Sequence, residues 1–567
     1  MPTLHWIGKD AVVNHHKEVP FHLLKCDPKR SVDSPSPSGE GLGVGSGNLL
    51  IQGDNLLALK ALLPHYAGQV KCIYIDPPYN TGNEGWVYND NVNSPEMKEW
   101  LGKVVGGETE DLSRHDKWLC MMYPRLVLLR ELLREDGVIF ISIDDIEIGS
   151  LRPIMDEIFG KQNFIANVVW QKKQSPQNDA INLSDMHDYI VVYAKKAKQS
   201  RNDVLGWQRQ LLPRGERQSS RYGNPDNDPR GVWTSSDSTC NKTADERPNL
   251  FYSVINPFTG EEVWPSRRRV WLYEASVFNQ MIQENRVWWG ENNKNFPRIK
   301  KFLTEVAGGI VPSTWWDRDF AGDNQEAQRE IRKIFTTDEQ GFATPKPTRL
   351  IQRILQIATN PGDLILDSFA GSGTTGHAVL KMNKEDGGNR RFILVEMDEN
   401  ICKNITAERL RRVIQGYEWT DQKGNKKKEA GLGGGFRYCT LGETLFDAAG
   451  QIRSEVTFED LARHVYFVET GQPLSIPRSP FPKGKGAGRL GPLLGVHNGV
   501  AVYLLYNGVM KDKSRSGGNV LTRALLESLP PHDGPKVIYG NGCLLGENTL
   551  RSLNVTFKQV PYEIKVS

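Results

Sequence analysis

The sequence predicts an α/β protein: a mostly parallel sheet with helices on both faces, split by a large insertion and followed by a small α/β C-terminal domain. Three observations predict it. From Asn48 onward, β-prone apolar runs alternate with amphipathic helical ones, the pattern of parallel strands joined by crossover helices. This rhythm lapses between about 164 and 341 and then resumes, so one domain is divided in sequence by another. A charged, Gly-rich stretch, "DQKGNKKKEAGLGGG", then separates a last region with its own short strands and helices.

Residues 1–47 read as an N-terminal arm and flexible linker. The Ser/Pro/Gly-rich "SVDSPSPSGEGLGVGSG", Ser31 to Gly47, has too little apolar surface to order itself. In 48–163, "NLLIQGD", "KCIYID" and "GVIFISIDD" read as strands, with "NLLALKALLPHY" and "YPRLVLLRELLRED" as the helices between them. The segment 164–341 is polar yet carries Trp207, Trp233, Trp264, Trp271, Trp288, Trp289, Trp315 and Trp316, which suggests an inserted domain with its own core. Strands resume in 342–418 with "DLILDSF" and "RRFILVEMD", flanked by helical "PTRLIQRILQIAT", "TTGHAVLKMN" and "ENICKNITAERLRRVIQ". The linker and C-terminal domain occupy 419–567.

Composition bounds the rest. With 567 residues, 38% hydrophobic and 25% charged, the chain suits two to four packed domains. A net charge of +3 neither demands nor excludes a polyanionic partner, so a basic footprint has to be local. The seven cysteines form no CxxC and keep no metal-ligand spacing, which points to reduced structural thiols and no metal. The opening "MPTLHWIGKD" shows no basic region followed by an apolar stretch and no run of about 18 apolar residues occurs, so the expectation is a cytoplasmic protein without membrane contact.

Two stretches carry chemistry. "IYIDPPYNTG" sets Asp76, Pro77, Pro78 and Tyr79 at the end of a buried strand, an arrangement suited to a flat, amino-bearing ring; the bland reading is a rigid loop. In "LILDSFAGSGTTGHAVL" a strand ends in a Gly-rich turn that opens a helix. Gly371 and Gly373 permit close approach of a ligand, and the helix N-terminus offers free N–H groups. The next strand ends in Glu396, an acidic side chain suited to ribose hydroxyls. Alone, the turn is equally compatible with a tight αβ connection.

Together, Asp76-Pro77-Pro78-Tyr79 and Phe369-Ala370-Gly371-Ser372-Gly373 resemble the signature pair of S-adenosylmethionine-dependent DNA amino-methyltransferases, in the order of the β class. "IDPPYNTG", "ISIDDIEIGSLRPIMDEIFG", "GGIVPSTWWDRDFAG", "TPKPTRLIQRIL" and "TFKQVPYEI" further resemble the modification subunits of type III restriction–modification systems. The resemblance implies a Rossmann-like methyltransferase fold split by a target-recognition domain. It implies S-adenosylmethionine as cofactor and N6-methylation of adenine in double-stranded DNA. It also implies a homodimer and association with a helicase–nuclease restriction subunit. By this resemblance Thr344, Lys346, Asp367, Phe369, Gly371, Gly373, Thr374 and Glu396 bind the cofactor, with Lys346 near its methionine end and Asp54 near its adenine.

An exocyclic amine is a poor nucleophile because its lone pair is delocalised into the ring. The Asp76 carboxylate and the Pro77 carbonyl would accept its hydrogens, the prolines fixing the carbonyl's aim, while Tyr79 stacks on a base extruded from the duplex. Cytosine N4 needs the same acceptors, so the tetrad leaves the base open. A DNA-recognition scaffold for a nuclease partner, with methylation secondary, is the other reading of the large insertion. Lys172-Lys173, Lys195-Lys196, Arg267-Arg268-Arg269 and Lys300-Lys301 are candidate phosphate contacts, or else a solvated face over a tryptophan-rich core. No phosphate-binding GxxxxGK[ST] loop occurs, so the motor activity lies elsewhere. "EIK" at Glu563 to Lys565 reads as a strand end rather than a nuclease motif.

Overall fold

The computed structural model describes residues 4–32, 47–80, 111–176, 181–214, 220–305, 308–335, 342–421, 423–475, 491–505 and 518–560. The "EIK" motif and most of the Ser31–Gly47 linker lie outside these residues. Two compact units are present, one formed by 1–209 with 313–567 and the other by 210–312.

The larger unit is organised by a ten-stranded sheet. Its strands in chain order are β1 (His22–Val32), β2 (Leu49–Gln52), β3 (Val70–Ile75), β4 (Leu133–Ile143), β5 (Phe164–Gln171), β6 (His187–Ala194), β7 (Trp315–Trp316), β8 (Leu364–Asp367), β9 (Arg391–Glu396) and β10 (Phe436–Thr444). Across the sheet they run β1-β10-β2-β9-β8-β3-β4-β6-β5-β7. The central five, β2-β9-β8-β3-β4, are mutually parallel. Every residue of β3 and β8 is buried, as expected of strands covered by helices on both faces. The crossovers include α1 (Asn55–Tyr66), α2 (Asp111–Leu132), α3 (Asn324–Ile334), α4 (Thr348–Ala358), α5 (Thr374–Asp386) and α6 (Ala407–Gln415). This is the mostly parallel, helix-covered sheet the alternation predicts, and the Rossmann-like arrangement the resemblance implies.

The two sequence halves share this sheet. Ile365 and Leu366 of β8 pair with Cys72 and Ile73 of β3, and β9 pairs with β2 from Ile393–Leu49 to Glu396–Gln52. Asp76 and Asp367 therefore emerge at the carboxyl ends of adjacent central strands, where open α/β sheets bind ligands.

Several boundaries differ from the sequence reading. β5, β6 and β7 belong to the sheet, so the separate inserted unit is 210–312 rather than the whole of 164–341. The cause is hydrogen bonding: β6 pairs antiparallel with β4 along Val138–Ala194 to Ile143–Tyr189 and carries β5 with it. The N-terminal residues are not a loose arm: Trp6 is buried, its indole N–H donates to Cys120 Sγ at 3.3 Å, and β1 pairs with β10. β10 lies within the stretch read as linker and C-terminal domain, yet it hydrogen-bonds β2. Beyond it, Leu493–His497, Val500–Leu504, Lys536–Gly540 and Val555–Gln559 form the smaller α/β sheet. The expectation of reduced thiols is corrected at one pair: Cys26 and Cys439, opposed across β1 and β10, form a disulfide because the cross-strand register stacks their side chains.

The smaller unit holds a three-stranded antiparallel sheet of Val287–Trp288, Arg298–Phe302 and Trp233–Asp237, with Val254, Trp271, Phe278, Val287, Trp289 and Ile299 forming its core. Most of its tryptophans are thus structural, while Trp264 is exposed. Lys300 is not a phosphate contact: it is fully buried between Asp226 and Asp228, 3.0 Å from the latter. Arg267, Arg268, Arg269 and Lys301 are exposed. Among the described residues no helix is long and apolar enough to cross a membrane, and no group of three or more side chains is placed to hold a metal.

Candidate active site

The peptide after β3 is held in place by its neighbours. Trp118 of α2 donates its indole N–H to the Pro78 carbonyl at 2.7 Å. Asn80 has φ 59°, a left-handed conformation that asparagine tolerates, and its amide donates to the buried Glu147 carboxylate at 2.5 Å. His115 shares the same Glu147 oxygen at 2.7 Å. Tyr79 donates its hydroxyl to Asp76 Oδ1 at 3.0 Å, and burial, then the Asp76 charge, pushes that hydroxyl's pKa well above its ordinary value.

The glycine turn is equally constrained. Gly371 and Gly373 have φ of 50° and 77°, both left-handed. The Gly371 N–H donates to Glu396 Oε2 at 2.8 Å and its carbonyl accepts from Thr406 Oγ1 at 2.6 Å. A Cβ at Gly373 would sit 3.0 Å from Thr406 Cγ2. Gly373→Ala is therefore expected to cost about 1–2 kcal/mol, seen as a lowered thermal transition. Beneath the turn, Arg409 of α6 is completely buried and donates to Ser372 Oγ at 2.9 Å, Thr374 Oγ1 at 2.8 Å and Thr348 Oγ1 at 3.2 Å. Burial lowers its pKa to about 10, against the opposing charge of Glu330.

Between the two motifs lies a cavity of about 410 Å³. Asp76, Pro77, Pro78 and Tyr79 line it together with Thr344, Lys346, Asp367, Phe369, Gly371 and Thr374. Three of the residues singled out in the sequence are not part of its lining. Asp54 caps α1, accepting the Leu56 and Leu57 N–H groups at 2.8 and 3.1 Å, and pairs with Arg125 at 3.2 Å. Gly373 is the N-cap of α5. Glu396 stands behind the turn, with both oxygens on backbone N–H groups of Gly371 and Asp398.

The cavity walls are strongly charged. Lys346 Nζ lies 2.6 Å from each Asp76 oxygen, joining groups 270 positions apart, and 5.1 Å from the Tyr79 ring centre. Asp367 accepts from the Phe369 N–H at 3.0 Å and the Thr375 hydroxyl at 2.6 Å. Burial nevertheless raises its pKa to about 7, helped by the Asp76 and Glu396 charges. Lys172, read in the sequence as a candidate phosphate contact, instead lines the cavity and pairs with Asp188 at 2.7 Å and with Asp185 at 2.5 Å; sequence reasoning missed these two aspartates. Asp144 also lines the cavity, and burial raises its pKa to about 6.

A Gly-rich turn at a helix start, an acidic floor and an ammonium form a concave site with the chemistry to hold a zwitterionic, cationic-centred ligand beside the tetrad.

Residues 70–408 match the profile of a DNA methylase family. The chain is 35% identical over 386 residues to the StyLTI Mod subunit of a type III restriction-modification enzyme from Salmonella typhimurium, covering 66% of this chain and 56% of that one. It is 30% identical to the EcoP15I Mod subunit of Escherichia coli, covering 72% and 68%. It is 31% identical to the EcoPI Mod subunit of Escherichia phage P1, covering 82% and 74%.

Proposed function

Since this chain belongs to the DNA methylase family and is related to Mod subunits of type III restriction-modification enzymes, we propose that it transfers a methyl group from S-adenosylmethionine to the N6 amino group of adenine in double-stranded DNA. One observation carries the reading: the tetrad and the glycine turn, far apart in sequence, line one cavity.

The cavity fits the cofactor. Gly371 and Phe369 line it at the start of α5, Lys346 provides a cation for a carboxylate, and Asp367 provides negative charge for a sulfonium. When bound, the cofactor supplies the methyl group. Asp76 and the Pro77 carbonyl accept the two amino hydrogens and so turn the nitrogen lone pair out of the ring plane. Tyr79 offers an aromatic face, and such stacking offsets about 1–3 kcal/mol of the cost of extruding a base. Geometry and aligned dipoles supply the remaining acceleration. Unit 210–312 is the part we assign to target recognition, with its exposed Arg267, Arg268 and Arg269 on phosphates. A homodimer and a helicase–nuclease partner subunit complete the proposal.

Purified chain, labelled cofactor and several unmethylated DNAs test the activity, and mass analysis of the hydrolysed DNA identifies the base. Cofactor binding without transfer to any DNA counts against the reading; label on N4 of cytosine replaces adenine.

A pH dependence follows from Asp367. Below about 7 it holds a proton, and above it the carboxylate is free to favour a sulfonium. Cofactor affinity is expected to rise as pH rises toward 7, by up to about tenfold per unit, and then to level. Calorimetric titrations across that range check this, and Asp367→Asn should flatten the profile.

A further inference from the structure

We propose that Lys346 is a positioning residue that makes the readiness of Asp76 depend on cofactor: its ammonium leaves Asp76 for the methionine carboxylate when S-adenosylmethionine binds. The inference rests on the methyltransferase reading above.

Lys346 stands where the two motifs meet. Its backbone carbonyl accepts a hydrogen bond from Thr374 Oγ1 at 3.2 Å, in the first turn of α5, so the main chain is tied to the glycine turn. Its side chain crosses to the other motif and places Nζ 2.6 Å from both Asp76 oxygens. Only 11% of that side chain is exposed.

This contact conflicts with the work asked of Asp76. A carboxylate held by an ammonium through two charge-assisted hydrogen bonds has lost much of its strength as an acceptor, and a neutral amine competes poorly with a cation for it. While Lys346 stays, the tetrad cannot polarise an amino group well. The ammonium therefore needs another anion within reach.

Nearby carboxylates are already engaged. Asp188 already feels the Lys346 charge and shares its Oδ1 with Lys172 at 2.7 Å, and Asp144 Oδ1 accepts from the Ile146 N–H at 3.0 Å. Asp367 has both oxygens hydrogen-bonded, and burial favours its neutral form up to about pH 7. An incoming carboxylate beside the Thr374 end of the cavity supplies the missing anion. A lysine stem is flexible enough to exchange partners without main-chain movement.

Linkage gives a test that needs neither DNA nor turnover. If the cofactor draws Lys346 from Asp76, removing the Asp76 charge must tighten cofactor binding, and only through Lys346. Isothermal titration calorimetry is run on the full chain, Asp76→Asn, Lys346→Met and the double variant, with S-adenosylmethionine and with its decarboxylated analogue. Asp76→Asn is expected to bind S-adenosylmethionine about tenfold more tightly. The gain should vanish in the Lys346→Met background and with the decarboxylated analogue. Unchanged or weaker binding by Asp76→Asn, or a gain that persists with the analogue, overturns the exchange and leaves the methyltransferase reading standing. No binding of S-adenosylmethionine by the unaltered chain overturns that reading itself. Should Asp76→Asn not fold, as judged by circular dichroism, the unaltered chain decides: it should prefer S-adenosylmethionine over the analogue, and equal affinities overturn the exchange.

Discussion

Asp76→Ala is expected to reduce methyl transfer by about three orders of magnitude while cofactor binding is retained and, because Lys346 is released as in Asp76→Asn, tightened. The side chain is at the carboxyl end of β3, lines the cavity and supplies the only acidic acceptor within the tetrad. Its loss removes one of two acceptors that pull the amino hydrogens from the ring plane, an interaction realised most fully in the transition state. The fall should therefore be seen in kcat more than in KM. Single-turnover transfer and calorimetry on the same preparation separate the two. A variant that retains more than a tenth of the activity would falsify the assignment of Asp76. Collapse of cofactor binding would instead make the residue structural.

Arg409→Met is expected to be the most damaging change away from the cavity. The guanidinium is buried beneath the glycine turn and donates to Ser372, Thr374 and Thr348. Charge-assisted bonds of this kind contribute about 1.5–3 kcal/mol each, and their loss leaves buried hydroxyls in search of partners. A destabilisation of at least about 3 kcal/mol follows, together with weaker cofactor binding, because Ser372 and Thr374 belong to the turn itself. Thermal unfolding with and without cofactor reads both. Unchanged stability in Arg409→Met would show that the turn holds itself.

The parts of this protein that were legible in its sequence are those encoded locally. "KCIYID" and "DLILD" are apolar runs ending in an acid, and a strand covered on both faces has no other way to be written. The glycine turn is legible for the same reason, since left-handed φ at 371 and 373 restricts the residue choice. Pairings across the chain are not written locally. "FIANVVWQ" and "HDYIVVYA" read as strands of no particular sheet, and only their register against β4 places them outside the inserted unit. Arg409 sits in "ERLRRVIQ" among arginines that pattern alone cannot separate, yet it is buried while Arg411 and Arg412 pair with Glu408 nearer the surface. Lys346 and Asp76 each suggested a separate role, and their ion pair emerges only when both strand ends are side by side. Asp54 and Glu396 show the converse: Glu396 spends both oxygens on backbone N–H groups, and Asp54 spends one on backbone N–H groups and the other on Arg125.

The pairing of β8 with β3 has a bearing on biosynthesis. β3 leaves the ribosome long before its neighbour exists, and at about 5–20 residues per second the interval is on the order of 15–60 s. Throughout that wait an apolar central strand has an unsatisfied edge, the kind of template that recruits other nascent chains. A polypeptide terminated before Leu364 would keep that edge permanently, so truncated products should aggregate rather than persist as half-enzymes.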